Sequence, residues 1–323
     1  MKISVVIPTF KRPQLLLRCV DALVQQNFRP SDYEIIIVSD GPDPETESAL
    51  RQLKKDGPMI RFLSLPVKKG PAAARNLGWK SSRAKLVAFT DDDCIPDRQW
   101  LAGFWNAFLR TPGNKAAFTG KTIVPISNPP TDYERNIAHL SEAEFITANC
   151  ASTPAAMAKV GGFDEEFTMA WREDSDLQFK FLQSDIPIVK VAVSVVTHPV
   201  RKAPWGVSIK DEKKGIFNAL LYKKYPRLYK KRIQSSPPWH YYVIVLSMLT
   251  FLIGIWLSNP IITWGSFSIW ACITAWFTAK RLRNTAHTFE HISEMVVTSL
   301  VIPFLSIFYR IYGAVKFRSP LLP

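Results

Sequence analysis

The chain has 323 residues and a formal net charge of +14, enough for one sizeable domain plus an appendage. So basic a balance points to a polyanionic partner, whether nucleic acid, anionic lipid or a phosphorylated substrate. Cys19, Cys94, Cys150 and Cys272 lie far apart, with neither metal-ligand spacing nor a disulfide framework, which suits a reducing cytosol.

In chain order, Ile3 to Ile7 is an apolar run closed by Pro8, a first strand and not a signal peptide. Leu16, Cys19, Val20, Leu23 and Val24 then recur at helical spacing, with Pro13 at a first helical position. Tyr33 to Ser39 is an Ile/Val-rich strand ending in Asp40-Gly41-Pro42, a turn signal. A polar helix over Glu45 to Lys55, a strand over Ile60 to Leu65 and a helix opening at Gly70 come next. Leu86 to Phe89 is a short buried strand that delivers Asp91-Asp92-Asp93 to its end. Alternating strand and helix argue α/β, a Rossmann-like, mostly parallel sheet, and its near-continuous apolar strands argue burial on both faces. From Ala116 to Val196 the pattern loosens: strands at Ala116 to Val124 and Ile188 to Val196, a helix at Glu173 to Gln183, and room for an antiparallel edge.

The character changes after residue 200. Arg201 to Arg232 holds 11 Lys or Arg against Asp211 and Glu212. Ile216, Phe217, Leu220, Leu221 and Tyr225 alternate there with lysines, which predicts an amphipathic helix lying on anionic lipid. Ile233 to Ala279 contains no Lys, Arg, Asp or Glu. Its halves, Tyr241 to Leu257 and Ile261 to Ala279, are each long enough to cross a hydrocarbon core of roughly 30 Å, and Ser258-Asn259-Pro260 separates them. A transmembrane hairpin over 241–279 follows, and basic runs at both ends make its flanks, and the N-terminal domain, cytoplasmic. Met295 to Tyr309 is a third apolar segment, short for a span, with Pro303 inside it and Arg310 behind it. It either crosses or lies flat at the interface. The domains expected are thus 1–200 catalytic, 201–238 juxtamembrane and 239–323 membrane-embedded, a multi-pass protein of the plasma or inner membrane.

The aspartate triplet carries the chemistry. Carboxylates packed so closely repel unless water or a cation neutralises them, and magnesium or manganese prefers oxygen ligands bridged to substrate phosphates. Around the triplet stand Pro8-Thr9-Phe10-Lys11-Arg12, Asp40-Gly41, Gly70-Pro71-Ala72-Ala73-Ala74-Arg75-Asn76, Ile95-Pro96, Gly161-Gly162-Phe163-Asp164-Glu165 and Trp171-Arg172-Glu173-Asp174-Ser175-Asp176-Leu177. In this order, over roughly residues 1 to 200, they closely resemble the family-two glycosyltransferases, which have the A-type nucleotide-sugar-binding fold (GT-A).

The resemblance implies roles. Pro8, Thr9 and Arg12 would cup the base and ribose of a nucleotide-sugar donor, and Asp40 would accept hydrogen bonds from the base, which hints at a UDP-sugar. Arg75 would lie beside the phosphates. Asp93, with Asp91, would hold Mg2+ or Mn2+, and Asp92 and Asp91 would serve the ribose. His198, after the last strand, would complete the metal site. Asp174 would be the base, with Glu173 orienting the acceptor, or the two would exchange roles. Gly161-Gly162 would allow backbone close to the sugar, and Arg201 and Lys202 could touch the diphosphate. No QxxRW string follows His198, which argues for transfer of a single sugar and not chain polymerisation, and a membrane-attached active site suggests a lipid- or polyprenyl-linked acceptor. Alternatives are transfer to polyprenyl phosphate itself, nucleotidyl transfer, and a membrane-tethered nucleic-acid-binding scaffold. Nucleotidyl transfer lacks its glycine-rich first loop here. The scaffold lacks aromatics on a basic sheet face, so no nucleic acid partner is expected.

Overall fold

The computed structural model describes residues 1–53 and 57–321. They form two compact units, one of Met1–Pro125 with Ala138–Val200, the other of Ile126–Ile137 with Arg201–Pro323. Residues 126–137, expected inside the first domain, group with the second unit.

The first unit contains β1 (Ile3–Thr9), α1 (Pro13–Val24), β2 (Tyr33–Ser39), α2 (Pro44–Arg51), β3 (Met59–Ser64), α3 (Pro71–Lys80), β4 (Leu86–Phe89), β5 (Ile95–Pro96), α4 (Trp100–Arg110) and β6 (Ala117–Ile123). The helix α5 (Asp132–Ala138) leaves it, and β7 (Cys150–Ser152), α6 (Pro154–Val160), α7 (Glu173–Gln183) and β8 (Ile188–Thr197) complete it. The predicted helix over 45–55 corresponds to α2; Lys54 and Lys55 lie outside the described residues.

One eight-stranded sheet has the order β3-β2-β1-β4-β7-β6-β8-β5. β1 pairs parallel with β2 and β4, and β6 pairs parallel with β8. β7 runs antiparallel to both its neighbours, β4 and β6, and β5 antiparallel to β8. An antiparallel strand, the three-residue β7, therefore sits inside the sheet as well as at its edge. Every residue of β1, β2 and β4 is buried, as a sheet covered on both faces requires. One face packs Leu16, Val20, Leu23, Trp100 and Phe104; the other packs Ala72, Ala74, Met157, Leu177 and Phe181.

The chain order reverses at β1, whose neighbours are β2 on one side and β4 on the other. Such a reversal opens a crevice beyond the strand ends, where open α/β sheets bind ligands. Its geometry is visible in the register. β4 pairs with β1 only as far as Val6 with Phe89, whereas β2 continues to Thr9 with Ser39. Pro8, lacking an N–H, therefore sits where the β4 ladder has already ended.

The second unit contains α8 (Val207–Asp211), α9 (Ile216–Lys224), α10 (Pro226–Arg232), α11 (Trp239–Trp256), α12 (Pro260–Leu282) and α13 (Phe289–Phe317). Asn259 caps α12, its Oδ1 accepting from the N–H groups of Ile261 and Ile262, so Ser258-Asn259-Pro260 is the predicted turn. Helices α11, α12 and α13 are each long and apolar enough to cross a membrane. Two expectations change. The third apolar segment is the middle of a continuous 29-residue helix. Ile216, Phe217, Leu220, Leu221 and Tyr225 are buried. Ile216 and Ala219 back onto Gly313, and Phe217 meets Phe317, so protein and not lipid covers much of that apolar face.

Candidate active site

The crevice collects carboxyl groups from four chain segments of the first unit. At the end of β1, Thr9 donates from Oγ1 to Asp92 Oδ2 at 2.8 Å, and Arg12 reaches Asp92 Oδ1 at 3.3 Å. Asp92 is nevertheless pushed up to about 6, because burial outweighs the Arg12 charge and the Thr9 hydrogen bond. At the end of β2, Asp40 accepts at Oδ1 from the backbone N–H of Lys69 (2.7 Å) and Gly70 (2.8 Å). Asp40 thus fixes the start of α3. Gly70 is required there: its φ is +102°, and a Cβ would lie 2.5 Å from the Thr168 carbonyl oxygen.

Helix α3 carries the central cation. Arg75 is buried, donating to Asp91 Oδ1 at 2.7 Å and to Glu173 Oε1 at 3.1 Å. Expected beside phosphate, its guanidinium instead bridges the aspartate triplet to the start of α7. Asp91, expected as a metal ligand, turns toward Arg75. The next residue, Asn76, clamps the loop before α7: its Nδ2 donates to the Phe163 carbonyl and to Glu165, and its Oδ1 accepts from Phe163 N. Gly162 explains itself at this contact, since a Cβ there would fall 2.6 Å from Asn76 Oδ1. Gly162 serves close packing on α3, whereas Gly161, at φ +76° with open space at its Cβ position, ends α6.

Glu173 and Asp174 open α7 behind Arg172, whose φ is +73°. Burial drives both carboxyls upward, Glu173 against the pull of Arg75. Asp174 is half-buried, and its Oδ1 accepts from Ser175 N at 2.6 Å and from Ser175 Oγ at 3.3 Å. Asp176 faces the other way, paired with Lys180 at 3.1 Å.

Asp93 points to the other wall. His198 follows β8, its backbone N–H bonded to the Ile123 carbonyl of β6, and its Nε2 lies 3.7 Å from Asp93 Oδ1. Cys94 Sγ sits 4.0 Å from the same carboxylate oxygen. The three residues offer one donor atom each within 4.8 Å of one another. Oxygen and nitrogen at this spacing fit a single divalent cation. His198 Nδ1 is buried with no hydrogen-bond partner among the described residues, so the ring is left able to orient toward such an ion. Sequence reasoning passed over Cys94 because linear spacing between cysteines says nothing of a histidine one hundred residues later. Its only signal was adjacency to the triplet.

With this geometry in place, comparison with known proteins is direct. Residues 4–158 match the model of Glycosyl transferase family 2. Glycosyltransferase AglE of Haloferax volcanii is 32% identical over 99 residues, covering 31% of this chain and 33% of that protein. A GalNAc(5)-diNAcBac-PP-undecaprenol beta-1,3-glucosyltransferase of Campylobacter jejuni is 37% identical over 93 residues, covering 28% and 29%. The chain thus spans about a third of the length of these curated relatives. A mannosyltransferase of Pyrobaculum calidifontis, solved with GDP-Man and Mn2+, superposes with a TM-score of 0.58 at 17% identity, over 98% of this chain and 87% of that one. Residues 4–158 thus match a glycosyl transferase family 2 domain, on a GT-A-like fold, followed in the chain by three long apolar helices.

Proposed function

We propose that the protein is an inverting, metal-assisted glycosyltransferase that moves one sugar from a nucleotide-sugar donor to a lipid- or polyprenyl-linked acceptor. The observation that carries the reading is Arg75, which holds the aspartate triplet and the Glu173-Asp174 pair in one buried network. The Campylobacter relative is named for an undecaprenol-linked acceptor, and a Staphylococcus aureus relative, 34% identical over 106 residues, for poly(ribitol-phosphate). The first fits an acceptor of this kind, and the second names a polymer acceptor.

Asp93 and His198 would hold Mg2+ or Mn2+; burial and the neighbouring aspartates keep the adjacent Cys94 thiol protonated, outside the ligand set of a hard cation. Bound there, the ion supplies positive charge to the departing nucleoside diphosphate. The protein's own groups do the rest. Pro8, Thr9 and Arg12 line the end of β1 where the nucleoside would rest. Arg75 holds Glu173 still through their ion pair, and so fixes the first turn of α7. Asp174 spends Oδ1 on Ser175, leaving Oδ2 to take the proton of the attacking hydroxyl. A carboxyl raised by burial is suited to that task near neutral pH. The charge-free hairpin α11–α12, with Lys280, Arg281 and Arg283 at its end, would anchor the chain as a multi-pass protein with its catalytic unit in the cytoplasm.

A panel of UDP- and GDP-sugars with Mn2+ or Mg2+, read as protection from thermal unfolding, tests the donor step, since ligand binding stabilises the folded state. Protection by one donor class is expected, and indifference to the whole panel would refute the reading. Asp174→Asn tests the base: kcat should fall about 10²–10⁴-fold with donor affinity kept. Retained turnover would favour polyprenyl phosphate, an acceptor that is already an anion.

A further inference from the structure

Length and composition alone make α13 a third membrane span. Its neighbours in the second unit argue otherwise. Going along α13, Glu294 Oε1 accepts from Gly206 N at 2.7 Å, Thr298 and Ser299 accept from Arg281, and Ile302 packs with Ile244 and Phe277. Ser306 then bonds Glu212, Gly313 abuts the backbone of Ile216, and Phe317 meets Phe217. Two things follow. The middle of α13 meets α11 and α12 toward the base of the hairpin, near Tyr241, Ile244, Phe277 and Arg281, in a cluster that extends along α12 to Ile273 and Trp270. The basic segment from Gly206 to Leu221 runs beside α13 from Glu294 to Phe317.

A span in this arrangement carries charge into hydrocarbon whichever half descends. The N-terminal half brings Glu290 and Glu294. The C-terminal half brings Arg310 and Lys316, with Lys213, Lys214 and Lys223 of the accompanying segment. Charged side chains at such depth are costly and demand partners. Laid parallel to the membrane at the level of the hairpin base, α13 puts none of them in hydrocarbon. The face left uncovered suits that placement. Phe289, Ile292, Val296, Leu300, Phe308, Ile311 and Val315 are exposed, at spacings that keep them on one side of the helix.

We propose that α13 is an in-plane membrane helix, its Ile292–Val315 stripe seated at the headgroup–acyl boundary of the leaflet that the hairpin base enters. The inference rests on the membrane reading of the hairpin.

Nitroxide depth measurements on the full chain, reconstituted in phosphatidylcholine–phosphatidylglycerol vesicles, test both separately. Cys272, exposed on α12 while the other three cysteines are buried, is labelled in the wild type as the hairpin reference. In a Cys272→Ser background, labels go on Val296→Cys, Phe308→Cys and Val315→Cys. The expected result is a deep Cys272 label and one shared shallow depth for all three α13 sites. A depth changing steadily from 296 to 315, by up to ~28 Å for a perpendicular helix, with Cys272 still deep, would overturn the in-plane helix alone. A Cys272 label open to aqueous quencher would overturn the membrane reading, and this inference with it.

Discussion

Each unit buries an arginine among acidic groups, and the two networks differ in how they balance. In the first, Asp91, Asp92, Asp93, Glu173 and Asp174 face Arg12, Arg75 and, from the rim, Arg172. Carboxyls outnumber cations, and burial pushes several of them up. In the second, Asp132 pairs with Arg281 at 2.8 Å, and Glu212 lies within the field of Arg281 and Arg310. There the charges match. A balanced buried network holds helices together. An unbalanced one holds its members in place while leaving negative charge for something else to neutralise, which is what a cation and a proton-seeking base require.

The sharpest way to break this contrast is Arg75→Met. With its guanidinium partner gone, Glu173 is left buried and uncompensated, a loss of about 3–5 kcal/mol, read as a large drop in unfolding temperature together with loss of activity. Arg75→Lys should recover only part, because an ammonium cannot reproduce the planar fork that spans two carboxylates.

Asp93→Asn and His198→Ala should leave the fold intact and weaken Mn2+ binding by at least the ~10–100-fold that follows loss of an outer partner, measured as free Mn2+ by electron paramagnetic resonance. Unchanged affinity in both variants would mean that the surplus charge serves something other than a metal.

In the balanced network, Arg281→Met should cost less, about 1–3 kcal/mol, since Asp132 is a quarter exposed and water can replace its partner. Donor affinity should not move, and a lost donor site would show that the second network is not merely structural.

The smallest effect is a pH slope. Burial raises Glu212 from its ordinary value to about 7 against the pull of Arg281 and Arg310. Its neutral form is favoured in the folded state, so its contribution is complete below the unfolded pKa and is lost as pH rises through about 7. Between about pH 5 and pH 8 the wild type should lose thermal stability through this group, and Glu212→Gln should lose less. Parallel slopes would show that Glu212 does not titrate in this range.

The strand-and-helix order from β1 to β4 was legible because those strands are rich in Ile, Val or Leu and end near Pro, Gly or Asp, whereas β5, α4, β7 and α6 lay outside that reading. The triplet's place at a strand end was legible for the same reason. Other features were not. Arg75 read as a phosphate ligand, because a guanidinium near acidic motifs suits either phosphate or carboxylate, and only packing chooses. Cys94 was passed over, since its partner His198 arrives from β8 by way of the sheet. The lysine-interleaved stretch at Ile216–Tyr225 read as lipid-facing; its apolar pattern records burial but not what does the burying. The third apolar segment read as short because Arg310 interrupts it, whereas the helix continues to Phe317 with Arg310 buried.

Local periodicity and turn chemistry determined by themselves the elements from β1 to β4 and their order, the acidic triplet and the charge-free hairpin, because such signals act over a few residues of chain. Which carboxylate meets a cation, which meets a guanidinium, and which apolar face meets protein were decided by tertiary structure alone. Those choices depend on groups far apart in sequence that come within a few ångströms only when the sheet and helices close around them.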